Sequence, residues 1–338
     1  MNWWAGRGPL ACLLWPLSQL YRLLAAVDRW RHRAGWAPVE RLPLPVLVIG
    51  NWISGGGGKT PTLIAVLELL KSWGLRPGVV SRGYGRRSRG VVVAGAASTA
   101  EELGDEPLLV HRRCGVPLAV AERRADAARA LLAADPGLQL IVCDDGLQHH
   151  GLARDLAVCV FDRRGLGNGL LLPAGPLRQD RAHPPPPGSR ATSLLLYTDG
   201  LRSTALPGFV AERSLAMAWP LAAWLRGDAT AARPLAALAD RRWIACAGLA
   251  RPEGFFDGLR RAGLAIEPLP QPDHADFAAL PWTAGSAVLV TEKDAVKLQP
   301  ARPGCEQVWV APLDLRPEPA FAAALRAELD ALMPWTPA

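Results

Sequence analysis

Val46-Leu-Val-Ile-Gly-Asn-Trp-Ile-Ser-Gly-Gly-Gly-Gly-Lys-Thr60 runs from an apolar strand, through a loop of consecutive glycines, into a helix that opens Thr60-Pro61-Thr62. Glycines let successive backbone N–H groups turn toward phosphate oxygens. Lys59 adds a cation at the β/γ-phosphates and Thr60 offers its hydroxyl to Mg²⁺, at a helix N-terminus whose dipole favours anions. Pro61 suits the first helical turn. The strict G-x-x-x-x-G-K-[ST] spacing fails at its first position, which is Ile53, and the run Gly55-Gly56-Gly57-Gly58-Lys59-Thr60 carries the reading instead. Ile53, Ser54, Gly55, Gly56, Gly57, Gly58, Lys59 and Thr60 are therefore the expected ATP-binding residues.

Downstream, Leu138-Gln-Leu-Ile-Val-Cys-Asp144-Asp145-Gly146 sets two carboxylates at the C-terminal end of a buried strand, where a phosphate-loop protein holds its ion. Thr60, Asp144 and Asp145 form the expected Mg²⁺ set, with the direct ligand of the two aspartates left open. Around these segments β-rich runs alternate with helical ones: Val46–Ile49, a helix over 60–73, Gly78–Ser81, Leu118–Ala121, a helix over 123–134, then Leu156–Phe161. That alternation predicts a parallel sheet covered on both faces.

A Gly/Pro-rich tract, Arg163–Pro187, ends in four prolines and interrupts the series. A second alternating series follows: Ser193–Tyr197, Trp243–Ala247, a helix near 253–262, Ala287–Val290, Gln307–Val310 and a terminal helix from about Glu318. The expected fold class is α/β, a P-loop NTPase-type parallel sheet with helices on both faces, a second smaller α/β lobe and an N-terminal amphipathic helix. The expected division is 1–40 for the helix region, 41–187 for the core lobe with its connector, and 188–338 for the second lobe.

Between Leu10 and Val27 the residues Leu10, Leu13, Leu14, Leu17, Leu20, Tyr21, Leu24 and Val27 recur at three- and four-residue steps, and Ser18, Gln19 and Arg22 fall off that stripe. A spanning helix needs roughly 20 predominantly apolar residues. Pro16, Gln19 and Arg22 interrupt this one, so a helix lying in the membrane interface fits better. Arg29, Arg31, His32 and Arg33 would meet an anionic cytoplasmic leaflet, with Trp3, Trp4 and Trp15 at headgroup level.

Composition adds exclusions. The net charge is +7, but only four of the 38 basic residues are lysine, so charge says little about partners. With three tyrosines, six phenylalanines and no basic–aromatic module, a nucleic-acid partner is not expected. The six cysteines, Cys12, Cys114, Cys143, Cys159, Cys246 and Cys305, form no C-x-x-C pair and read as thiols of a reducing compartment.

Several strings lie in order along the chain: Gly-Gly-Lys-Thr-Pro61, Ser81-Arg-Gly-Tyr-Gly-Arg86, Gly104-Asp-Glu-Pro107, Asp144-Asp-Gly-Leu-Gln-His149, Gly167 through Arg178, Asp273-His274 and Thr291-Glu-Lys-Asp-Ala-Val-Lys297. Together with the amphipathic N-terminus they resemble the tetraacyldisaccharide 4′-kinase (lipid A 4′-kinase) family, which also tolerates a non-glycine at position 53. One departure is Gln179, where that family's pattern has Glu. The resemblance implies ATP and Mg²⁺, phosphorylation of the 4′-hydroxyl of the lipid A disaccharide 1-phosphate precursor, and the cytoplasmic face of a bacterial inner membrane.

For the chemistry, a base must take the sugar proton. Asp105, read as lying on a loop between sheet elements, is the candidate, and the resemblance points to the same residue, with Glu106 beside it as substrate contact or alternate. The resemblance also implies that His274 bonds Asp105 across the cleft and orients it. Tyr84, His149 and Asn168 supply hydrogen-bonding groups for a sugar, and Arg82, Arg86 or Arg178 a partner for its phosphate. Thr291-Glu-Lys-Asp294 follows a strand and fits either nucleotide-base contact or helix capping. The rival from another class is a membrane-associated switch ATPase for targeting or metal delivery, against which Ser54 counts, since such loops often carry an extra Lys there.

Overall fold

All five residues of β1 (Val46–Gly50) are buried, as a strand flanked on both sides and covered on both faces must be. Leu47 and Ile49 face one core with Leu63, Leu67, Leu108 and Phe321, while Val46 and Val48 face a second with Val80, Ala128 and Leu131. The computed structural model describes residues 3–180 and 183–333. The side chain of Trp3, expected at headgroup level, lies outside the described residues, as do positions 181–182 of the Gly/Pro tract.

After a 3-10 turn at Trp3–Ala5 come α1 (Pro9–Arg33), β1, α2 (Lys59–Ser72), β2 (Pro77–Ser81), β3 (Val92–Val93), α3 (Ala100–Leu103), α4 (Asp105–Cys114), β4 (Leu118–Val120), α5 (Arg124–Ala134), β5 (Leu140–Asp144), β6 (Leu156–Phe161), β7 (Ser193–Tyr197) and β8 (Phe209–Ser214). Next come β9 (Met217–Pro220), α6 (Leu221–Leu225), β10 (Arg233–Pro234), β11 (Arg242–Ala247), α7 (Glu253–Arg261), β12 (Ala265–Pro270), β13 (Val288–Val290), α8 (Glu292–Ala295) and β14 (Val308–Val310). β15 (Asp314–Pro317) and α9 (Pro319–Asp330) close the described chain.

Among the described residues one sheet has nine strands in the order β15-β8-β7-β6-β1-β5-β2-β4-β3, and the other six in the order β10-β9-β14-β13-β11-β12. The first is parallel except at its edges, β3 and β15, which run antiparallel to their neighbours. This corrects the expected boundary at 188: β7, β8, β15 and α9 belong with the first sheet, and the second sheet draws its strands from Met217–Val310 alone. Alternation marks strands but not the sheet they join, and β7 enters the first by pairing parallel with β6.

Parallel registry places the chemistry. Ile49 of β1 sits opposite Asp144 of β5, so the phosphate loop and the acidic pair leave the sheet side by side at its carboxyl edge. A second correction concerns Asp105, which opens a helix instead of lying on a loop. Thr99 and Glu102 form a capping box on α3, and Gly104, at φ 90°, breaks it and starts α4 with two acids in its first turn. A Cβ on Gly104 would lie 2.7 Å from the Tyr84 carbonyl oxygen, so only glycine lets these two loops meet.

Helix α1 docks by its polar side. Ser18 is buried, donating to the Leu171 carbonyl at 2.9 Å and accepting from the Ala174 N–H at 3.0 Å, and Tyr21 donates to the Arg178 carbonyl at 2.7 Å. Leu10, Leu13, Leu17, Leu20, Leu24 and Val27 stay exposed, joined by Trp15 and Trp30. Tyr21, expected on the outer stripe, instead faces the protein. By length and composition this 25-residue helix could cross a membrane, Pro16 notwithstanding.

Candidate active site

Gly58 caps α2 with φ 85°, a conformation that side chains rarely adopt, and a Cβ there would stand 2.7 Å from Arg213 Nη2 and 2.9 Å from Thr198 Oγ1. The loop is tied down from outside. Arg164 donates to the carbonyls of Ser54 at 3.0 Å and Gly56 at 2.8 Å, and Arg251, from beyond β11, donates to Gly56 at 2.9 Å. Asp162 binds both arginines and is held below the usual carboxylate range, their charges outweighing the burial that opposes it. Ile53 is 1% exposed and packs on Leu171 and Leu177, which explains a large side chain where the strict pattern has glycine.

Lys59 Nζ lies 3.3 Å from Asn51 Oδ1 and 3.4 Å from Asp145 Oδ2. Asp145 adopts φ 47° and takes both its carboxylate oxygens to Arg178 Nη1, at 2.8 and 3.0 Å. Burial works against its charge, yet Lys59 and Arg178 together hold its pKa below the ordinary value. Asp144 differs. It accepts from Ser81 Oγ at 3.0 Å, and burial, with Glu106 and Asp145 nearby, pushes its pKa up to about 6 against the pull of Lys59. Thr60 Oγ1 donates to Glu106 Oε2 at 3.1 Å, so the hydroxyl and the acids share one oxygen-rich corner.

His274 Nδ1 meets Asp105 Oδ2 at 3.1 Å, and Lys297 Nζ approaches the same oxygen at 3.4 Å. Lys297 is nearly buried, bonded to the Ala275 carbonyl at 2.7 Å and placed 3.3 Å from Asp294. On the far ring nitrogen of His274, Lys293 Nζ stands at 3.3 Å and also reaches Asp273 and Glu106. Burial opposes the charge of Lys293, but Glu106 and Asp273 keep its pKa raised. A cleft of about 1260 Å³ includes Asp105, His274 and Lys297 in its walls but none of the glycine loop.

The sugar-contact expectations divide. Tyr84 is 74% exposed, its ring centroid 5.5 Å from that of His274, which leaves its hydroxyl available beside the pair. His149 is half-buried with Nε2 enclosed and without a hydrogen-bond partner, and burial beside Arg124 drops its pKa to about 4, so it is a neutral imidazole. Asn168 is bound on every side: Nδ2 donates to the carbonyls of Gly6 and Ala174, and Oδ1 accepts from the Leu170 N–H. Arg86 is likewise engaged by Glu122 at 2.7 Å and the Gly90 carbonyl at 2.8 Å. Both side chains shape loops in this structure, because local carbonyls and a neighbouring acid satisfy their donors.

Thr291 caps α8, and Asp294 ties that turn to the loop after β11. Thr291 accepts from the Asp294 N–H, and Asp294, wholly buried, accepts from Gly248 N–H at 2.9 Å and Thr291 Oγ1 at 2.7 Å. Roles that sequence reasoning missed fall to Asn51, Arg164 and Arg251 at the loop and to Lys293 and Lys297 behind His274. The lysines stood inside a string already singled out, and their spacing of four along one turn was the available signal. Gln179 accepts from Gln148 Nε2 at 2.6 Å, an amide pair that suits glutamine.

A family model described as Tetraacyldisaccharide-1-P 4'-kinase matches residues 10–330. The chain is 52% identical to the "Tetraacyldisaccharide 4'-kinase" of Methylibium petroleiphilum, over 98% of this chain and 93% of the relative. It is 48% identical to the protein so named from Leptothrix cholodnii, over 98% and 95% of the two chains. Among solved structures, LpxK from Aquifex aeolicus in complex with ATP matches with a TM-score of 0.78 and 27% identity, covering 96% of this chain and 99% of that one. These matches favour a kinase over the switch ATPase. Over nearly its whole length, then, the chain belongs to the tetraacyldisaccharide-1-P 4'-kinase family.

Proposed function

We propose that this protein transfers the γ-phosphate of ATP to the 4′-hydroxyl of tetraacyldisaccharide 1-phosphate, working against an anionic membrane surface on the cytoplasmic face of the inner membrane. The observation that carries the reading is the Asp105–His274 pair, held at 3.1 Å close to a glycine loop whose Lys59 and Thr60 suit nucleotide phosphates.

In this reading Asp105 accepts the hydroxyl proton and His274, bonded through Nδ1, orients it and stabilises the proton received. Lys297 supports the carboxylate from behind. Lys59 and the amides of residues 53–60 steady the phosphates, which for phosphoryl transfer is most of the catalytic task. Tyr84 offers its hydroxyl to the sugar, His149 its other ring nitrogen, and Glu106, bonded to Thr60, a carboxylate. The six-stranded sheet brings His274 and Lys297, so closure between the two sheets completes the site.

The donor set fits Mg²⁺: oxygen ligands only, from Thr60, Asp144 and Asp145, with an excess of acid that leaves Asp144 half-protonated near pH 6. When bound, that ion neutralises charge on the β- and γ-oxygens. The exposed stripe of α1, with Arg29, Arg31 and Arg33 following it, suits anionic lipid.

The test is transfer of labelled γ-phosphate from ATP to tetraacyldisaccharide 1-phosphate in detergent micelles, with and without Mg²⁺, beside Lys59→Ala. Label at the 4′ position, lost in the variant and without the ion, is expected. ATP hydrolysis that needs no lipid and leaves the lipid unlabelled would overturn the reading.

A further inference from the structure

Asp28 and His32 stand one helical turn apart near the end of α1, on one face. His150, which follows the Asp144–His149 loop and is buried, comes up against them, with Nδ1 2.8 Å from Asp28 Oδ2. His32 Nδ1 lies 3.8 Å from Asp28 Oδ1, and one donor atom from each of the three residues falls within 4.8 Å of the others. His32 Nδ1–H donates to the backbone carbonyl of Asp28 at 2.9 Å, which leaves the lone pair on Nε2.

We propose that Asp28, His32 and His150 form a site for a divalent transition-metal ion of the zinc class, fastening α1 to the core. Two imidazoles and one carboxylate are a borderline-soft set that suits such an ion better than Mg²⁺, and three protein ligands leave a position for water. Burial lowers the pKa of His150 despite the carboxylate beside it.

Without metal the cluster satisfies itself through a chain of hydrogen bonds. Arg29 Nη1 donates to His183 Nδ1 at 3.3 Å, His183 Nε2 to His150 Nε2 at 3.0 Å, and His150 Nδ1 to Asp28. On loading, the His150 proton moves from Nδ1 to Nε2, where it is donated to His183 Nε2. His183 carries its own proton on Nδ1 instead, and Arg29 withdraws. No proton is gained or lost overall, and His183 becomes the outer partner that orients the ligating ring. Ser18, Tyr21 and Arg22 anchor the middle of α1, and this cluster anchors its final turns.

The experiment uses the full chain in detergent, stripped with chelator and held in excess Mg²⁺ so that the nucleotide-site acids are occupied. Zn²⁺ is titrated against a chromophoric competitor, and Co²⁺ is substituted for its absorption spectrum. One equivalent per chain is expected, bound at least about 10-fold more weakly by His32→Ala and His150→Ala. The Co²⁺ spectrum should lack thiolate charge transfer, and Zn²⁺ should raise Tm in the wild type only. Should His150→Ala not fold, His32→Ala and Asp28→Asn, whose side chains lie on the helix, carry the test. Absence of stoichiometric Zn²⁺ in the wild type, binding unchanged in these variants, or a thiolate band overturns the proposal.

Discussion

The imidazole of His274 and the carboxylate of Asp105, 169 residues apart in the chain, meet through Nδ1 and Oδ2 at 3.1 Å. If this pair handles the acceptor proton, Asp105→Asn lowers kcat by about 10²–10⁴-fold, the range for loss of a general base. His274→Ala lowers it less, because the carboxylate keeps Lys297 at 3.4 Å. In both, the KM for ATP stays within about threefold, as befits groups that act on the acceptor. A steady-state comparison of the two variants checks this, and an unchanged kcat in Asp105→Asn removes the residue from the mechanism.

Asp144 carries a pH signature. Its carboxyl, buried near Glu106 and Asp145, has a folded-state pKa of about 6 against an ordinary 3.8. An acid raised on folding contributes stability below its unfolded value and loses it as pH climbs through the folded one. The free protein therefore loses stability between roughly pH 4 and 6, on the order of 3 kcal/mol from this group. Asp144→Asn should melt higher than the wild type at pH 7.5 without Mg²⁺ and alike at pH 4. In the wild type, Mg²⁺ affinity should weaken as pH falls through about 6, since protons compete for the same oxygens. Calorimetry with chelator present decides it; a variant less stable at pH 7.5 contradicts the assignment.

Gly58→Ala tests the loop. The new Cβ meets Arg213 Nη2 at 2.7 Å while the backbone holds φ at 85°. The expected cost is about 1–2 kcal/mol of stability, with the KM for ATP rising at least about tenfold as the loop distorts. Melting curves and ATP saturation read the two effects separately. An ATP KM equal to wild type would mean that the loop absorbs the methyl.

For the exposed stripe, Leu13→Glu with Leu17→Glu removes two side chains that are 74% and 52% exposed. Burying each leucine in lipid gives about 1.5–3 kcal/mol, so partition onto anionic vesicles should fall by about 100-fold or more. Tm in detergent-free buffer should move little, since both side chains are mostly exposed. Sedimentation with vesicles measures the first, and undiminished binding would place the membrane contact elsewhere.

How far the chain could be read depended on the range of the interactions involved. Val46–Gly50, the glycine run and the acidic end of β5 declare themselves because continuous apolar strands, positive-φ loops and strand-end carboxylates are local necessities of a phosphate-binding parallel sheet. Apolar spacing likewise sufficed for α1, though not for which side it would dock: Ser18 and Tyr21 turned inward because loop carbonyls offered them partners. Tertiary structure alone decided that Asp105 begins a helix facing His274, that Asn168 and Arg86 are engaged by Gly6 and Ala174 and by Glu122, and that β15 returns to the first sheet. A period of two tells which face of a strand is buried and nothing about which strand lies beside it. Pairings across 100 residues or more, such as Asp105 with Lys297, are settled by the cooperative packing of both sheets, in which every local preference is only one term.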